Sequence, residues 1–216
     1  MRRRISTSKS ITNMRYGFIY ELFRVLIEGF RFLNLVELFK LIGQTLNPAP
    51  NDNNIKITYS RISVDIFIVL KWLLVMILFL TSSSNLFFCI FVWYLIISNV
   101  YTYFYYHVWD SGAINQSEND EHSLRRRFIN LLLAISFSNL SFAYLFSNYY
   151  SSEFSWCESG VKLSHAIWFS ITNSISGSYS TVNPISDIGN AVSMIQLVIS
   201  FVFITIVVSR SIPQKN

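Results

Sequence analysis

Residues 62–106 are almost all apolar, and the run is broken once, at Thr81-Ser82-Ser83-Ser84-Asn85. A helix crosses a bilayer with roughly 20 apolar residues. The run therefore predicts two crossings, 62–80 and 86–106, joined by a tight turn. Two more apolar segments follow, at 128–147 and 188–208. In lipid every backbone polar group must be satisfied within the chain, so each crossing is expected to be a helix. Composition excludes the soluble classes: only 13% of residues are charged and mean hydropathy is +0.40, against roughly 25% charge in a soluble domain.

The net charge of +5 calls for no nucleic-acid partner, because Lys and Arg of a membrane protein crowd the cytoplasmic side. With four crossings and a cytoplasmic amino end, 15 of the 17 Lys and Arg fall on that side. Lys71 then lies in the membrane, and Lys162 stands alone outside. Reading 62–106 as one crossing would export Arg125-Arg126-Arg127, so that topology loses. The four-crossing arrangement puts both termini in the cytoplasm of a multi-pass protein of the plasma or inner membrane.

The amino end is basic (Met1-Arg2-Arg3-Arg4) but lacks the apolar core of a signal peptide. From Arg15 to Gln44, polar residues recur three or four apart, at Glu21, Arg24, Glu28, Arg31, Asn34, Glu37, Lys40 and Gln44. This is an amphipathic helix with a narrow polar stripe. It either lies in the headgroup plane, where it would meet membrane lipid, or packs against its own bundle or neighbouring subunits. Asn47-Pro48-Ala49-Pro50 opens a linker. Lys71, mid-crossing, is expected to snorkel or to pair with Asp65 or an interior carbonyl; one Lys is not the basic series that voltage sensing needs. Tyr101, Tyr103, Tyr105, Tyr106 and Trp109 form an aromatic belt. On the third crossing Ala134, Ser138 and Ser141 share a face of small residues that lets helices approach closely. The two cysteines, Cys89 and Cys157, suggest no disulfide within the chain.

Residues 161–210 carry the functional signal. A short helical run over 164–174 leads into a Ser/Gly knot at 175–181, and after Asn183-Pro184 comes the last crossing. A short helix, a backbone-rich loop and a full crossing form the layout of a re-entrant loop, which survives at membrane depth only where it lines water or is buried in protein. This stretch resembles the pore domain of potassium channels, with two crossings around one pore loop. Ala166-Ile167-Trp168-Phe169-Ser170 resembles the family's pore helix, to which Thr172 and Asn173 also belong. Ser176-Gly177-Ser178-Tyr179-Ser180 falls on its Thr-Val-Gly-Tyr-Gly filter. Thr181-Val182-Asn183-Pro184 and Gly189 resemble the segment and the glycine that follow it.

The resemblance implies a homotetramer conducting monovalent cations, with stacked backbone carbonyls replacing the hydration shell. Ser178 and Ser180 stand where the family has glycines, so the loop is expected to carry strain or to take another path, which weakens potassium selectivity. Ser193, Gln196 and Ser200, on one face of the last crossing, are expected to line a cavity; helix–helix hydrogen bonding explains them as well. Glu153, Glu158 and Asp187 would make an acidic mouth over four subunits; ordinary solvated loop charge explains them equally well. No nucleophile–base pair marks an enzyme, since His165 has no positioned acid, and nothing calls for a cofactor or a metal beyond permeating cations. No sensor domain is expected after Arg210, so regulation is expected through 1–61, the 107–127 loop or an unknown activator.

The expected fold class is an all-α integral membrane protein. It has four transmembrane helices, a re-entrant pore loop between the last two and an N-terminal amphipathic helix. Its parts are 1–61 (cytoplasmic or interfacial), 62–106 (a transmembrane hairpin), 107–127 (a cytoplasmic loop), 128–210 (the pore domain) and 211–216 (a tail). Other readings are a non-conducting membrane scaffold that keeps the pore fold, and a pore that depolarises its own cell when triggered.

Overall fold

In the computed structural model, residues 17–31, 34–46, 52–109, 121–157 and 163–211 are described. The rest of the 47–54 linker, the 107–127 loop and the tail, together with Glu158 and Lys162, lie outside them. The order is α1 (Phe18–Phe30), α2 (Leu35–Thr45), α3 (Asn53–Thr81), α4 (Leu86–Phe104), α5 (Glu121–Ser147), β1 (Phe154–Trp156), α6 (Leu163–Ser174), β2 (Val182–Pro184) and α7 (Asp187–Ser211). Four helices are long and apolar enough to cross a membrane: Ile55–Thr81, Leu86–Trp109, Phe128–Ser147 and Asp187–Val208. The protein is thus a mainly helical membrane protein. The turn between α3 and α4 follows from Asn85, whose side chain caps α4 by accepting from Phe87 N at 2.8 Å.

Four boundaries differ from the expectation. The N-terminal region forms two helices, because Asn34 is extended and caps α2 through Val36 N at 3.0 Å. α3 begins at Asn53, ahead of the apolar stretch. α4 passes into a π-helical turn, Tyr105–Trp109, and α5 starts at Glu121, so the 107–127 segment is helical at both ends. An antiparallel pair of short strands, with Phe154 opposite Pro184 and Trp156 opposite Val182, interrupts the all-helical plan.

Among the crossings, α5 is the central one: half of its span is covered by the chain, against 22% for α3 and 28% for α7. Its Ala134, Ser138 and Ser141 are buried, as the small-residue face requires, and Phe137, Phe142, Tyr144 and Phe146 have no exposure. In lipid, apolar contact alone gives helices little reason to associate, so close packing and interhelical hydrogen bonds carry the assembly. Tyr144 donates to Ser83 O at 2.5 Å, and Tyr103 donates to Asn130 O at 2.6 Å. At one end, Arg126 Nη2 clasps both carboxylate oxygens of Asp65, at 2.7 and 2.9 Å. Asp65 is therefore committed to Arg126. Lys71 pairs instead with the side-chain carbonyl of Asn99, at 2.6 Å.

α2 packs on α3 rather than standing apart. Gly43 makes this possible, since a Cβ there would lie 2.1 Å from Ser63 Oγ and 2.9 Å from the backbone oxygen of Tyr59. Asn34 is buried and bridges to α4, donating to Thr102 Oγ1 at 2.8 Å and accepting from Ser98 Oγ at 3.0 Å. Gly43→Val is expected to release α2 from α3 at a cost of about 1–3 kcal/mol, the usual range for overpacking. The release would appear as faster hydrogen exchange of α2 amides, with α5 amides unchanged; unchanged α2 exchange would contradict it. α1 has no buried residue and touches the bundle through Tyr101, whose hydroxyl donates to Ile27 O at 2.6 Å.

Candidate functional site

The candidate site is the loop from Ile175 to Thr181 and the helix before it. α6 covers the expected helical run, one residue longer at its start. An aromatic trio fixes it: Phe169 on α6, Phe146 on α5 and Phe154 on β1 have ring centroids 5.0–5.5 Å apart. Ala166 and Ser170 are fully buried, and Trp168 is exposed. Thr172 Oγ1 turns back on its own helix, to Trp168 O at 2.8 Å.

A buried amide network sets the depth of the C-terminal end of α6. Asn173 Nδ2 donates to Gln196 Oε1 at 2.7 Å and to Ser193 O at 3.0 Å. Gln196 Nε2 donates to Ser170 Oγ at 2.6 Å, to Ser170 O at 2.9 Å and to Asn139 Oδ1 at 3.4 Å. Ser170 Oγ in turn donates to Asn139 O at 2.7 Å. Gln196 has no exposure and lies roughly 14 Å along α7, at 1.5 Å per residue. Of the three residues expected to line a cavity, Ser193 and Gln196 are thus enclosed between α5, α6 and α7, and Ser200 is half-buried. Helix–helix hydrogen bonding, not a water-lined cavity, accounts for Gln196.

Past α6 the chain reverses in a motif that the residue pattern did not reveal. Gly177 N donates to Thr172 O at 2.7 Å and Ser176 N to Asn173 O at 2.9 Å, with Ser176 left-handed at φ 60°. Paired bonds of this kind around a left-handed residue form a Schellman motif, usually built on glycine. Serine here carries the cost of a positive φ. The strain expected at Ser178 and Ser180 is absent, because neither has a positive φ; the loop takes another path. The signal that could have found this is Ser-Gly directly after a helical run.

The five filter-aligned residues, and Thr181 after them, divide by the fate of their carbonyls. Tyr179 O accepts from Val182 N at 3.1 Å, and Ser180 O accepts from Asn183 Nδ2 at 3.2 Å. Thr181 O accepts from Cys157 N at 3.0 Å. The carbonyls of Ser176, Gly177 and Ser178 have no donor among the described residues, and all three residues are exposed. Tyr179 is half-buried, and its hydroxyl lies 2.9 Å from His165 Nδ1, which ties the loop to the first turns of α6. His165 thus has a structural partner that the sequence did not show.

The rim is held by β1 and β2. Glu153 takes the hydroxyl of Ser186 and, through its backbone oxygen, the amide of Ile185 at 3.0 Å. Of the expected acidic mouth, Glu153 is therefore occupied and Asp187 is exposed at the start of α7. Cys157 is exposed and Cys89 buried, and the two do not form a disulfide. No group of three or more His, Cys, Asp or Glu among the described residues is placed to hold a metal ion. No family model, curated protein or solved structure matches this chain.

Proposed function

We propose that the chain is one subunit of a tetrameric cation pore of the potassium-channel-like kind, oriented with both termini in the cytoplasm. In this reading α5 is the outer helix, α6 the pore helix, residues 175–181 the re-entrant loop and α7 the inner helix. The observation that carries it is the row of exposed carbonyls at Ser176, Gly177 and Ser178, which have no donor among the described residues, set at the end of a helix that reaches mid-span. Irregular backbone at that depth is tolerated only where it lines water or is buried, and carbonyl oxygens facing water are what replaces a cation's hydration shell. The negative end of the α6 dipole favours a cation at the same place. The largely uncovered face of α7, with Met194, Val198 and Phe201 exposed, suits contact with neighbouring subunits.

The carbonyl division also bears on selectivity. Tyr179 and Ser180 spend their carbonyls within the chain, so three rings remain for the ion where a five-residue filter would offer five. Fewer rings mean less complete dehydration and weak discrimination between potassium and sodium. The same path favours a second reading, a non-conducting scaffold that keeps the fold for assembly.

Purified protein in liposomes separates the two readings. The pore reading expects a tetramer on crosslinking and cation flux down a gradient; the scaffold reading expects assembly without flux. Tyr179→Phe removes the hydroxyl that meets His165 and is expected to cost about 1 kcal/mol. It should change the relative flux of potassium and sodium while tetramers persist. Unaltered flux ratios would show that Tyr179 does not shape the permeation path.

A further inference from the structure

Lys71, on α3, meets α4 and α5 rather than the loop. It is 7% exposed, in the middle of a crossing, and forms no salt bridge with a described residue. Its ammonium carries three donors. One meets Asn99 Oδ1 at 2.6 Å, and the ring of Phe137 lies 4.5 Å from Nζ. Asn99 is locked in that orientation because its own amide donates to Ala134 O at 3.0 Å. The nearest candidate counter-ion on α3, Asp65, is held by Arg126, and Glu37 on α2 is held by Arg31 and Lys40.

Beside Lys71, between α2, α3 and α4, is a cavity of about 30 Å³, bounded by Val36, Val64, Ile68 and Ser98. That is room for roughly two water-sized groups. The hydroxyls on its wall are committed: Ser98 to Asn34, Thr102 to Ser98 O and Tyr103 to Asn130 O. The cavity therefore presents one ammonium with donors to spare, on otherwise apolar or satisfied walls. A charge at this depth with no acidic partner among the described residues is costly, and a partner of opposite sign offsets that cost.

We propose that this cavity binds a small, singly charged anion on the Lys71 ammonium, either chloride or a carboxylate. One positive charge and two water-sized positions match a monoanion and exclude a phosphodiester headgroup. Asn34, at the start of α2, hydrogen-bonds the α4 residues of the wall, so an occupied site also strengthens the seating of α2. The site stands apart from the pore and does not depend on conduction.

The test is thermal unfolding of the full, delipidated chain in detergent at constant ionic strength. Gluconate, whose hydroxylated chain the apolar walls at Val36, Val64 and Ile68 disfavour, serves as the reference salt; chloride, acetate and oleate are the probes. The expected result is a rise in midpoint of about 3 °C on exchanging gluconate for a bound anion. A rise with chloride or acetate assigns an aqueous source, and a rise with oleate alone assigns the carboxylate of a membrane fatty acid. Lys71→Met, which removes the charge, and Val64→Phe, which fills the space and keeps the charge, should each abolish the rise. No rise in the unsubstituted chain, or an equal rise in either variant, overturns the proposal.

Discussion

Replacing Gln196 by leucine is expected to be the most damaging single change in the membrane core. Leucine has nearly the volume of glutamine, so the cavity contribution is small and the loss is almost wholly polar. Asn173 Nδ2 loses its 2.7 Å acceptor, and the Ser170 and Asn139 oxygens lose the donor that joined α7 to α5 and α6. Hydrogen bonds between helices in lipid are worth about 0.6–1.7 kcal/mol each. With three partners affected together, a loss of about 2–4 kcal/mol is expected. On the proposed pore reading, this amide fixes how deep the end of α6 sits, so ion flux should fall with stability. Denaturant titration of the purified protein in detergent, beside Ser200→Leu at a half-buried position, measures the first effect. Equal midpoints for the two variants would show that Gln196 is not the hub.

Gly189→Val is expected to open the rim. A Cβ at Gly189 would fall 2.5 Å from the backbone oxygen of Glu153 and 3.3 Å from Pro184 Cβ. Neither neighbour is a flexible side-chain end, so the first turn of α7 must move away from β1. That movement breaks the Ile185 amide bond to Glu153 O and displaces Ser186, which accepts the Gly189 amide at 3.0 Å. Overpacking of this kind costs about 1–3 kcal/mol, and valine, branched at Cβ, belongs at the upper end. Hydrogen exchange should quicken at the amides of Cys157, Val182 and Ile185, while those in the middle of α7 keep their protection. Slow exchange at all three would mean that the strand pair does not rest on this close approach.

The crossings were legible in the sequence because apolar length is a direct consequence of bilayer thickness. The turn at Ser82–Asn85 and the helix over 164–174 were legible too, since an Asn cap and a Ser/Gly stop are local signals. What the residue pattern hid was long-range. Whether Gln196 faces water or a neighbouring helix depends on Asn173 and Asn139, which are 23 and 57 residues away. The break at Asn34 was missed because the polar stripe runs on unbroken through it, while its side chain finds partners on α4. The β1–β2 pair joins two three-residue segments, too short for an alternating pattern to show. The filter alignment placed the residues but not their backbone: of strain at Ser178 and Ser180 or another path, the loop takes the other path, and the left-handed residue is Ser176 because the helix cap claims it first.

The central claim, that the carbonyls of Ser176, Gly177 and Ser178 form a short cation filter, is tested most directly by reversal potentials. Purified protein in planar bilayers is recorded under potassium/sodium gradients and then under cation/anion gradients. The expected result is anion exclusion with near-equal potassium and sodium permeability. A strongly potassium-selective reversal would contradict the short filter, and permeation of anions would contradict a cation pore altogether.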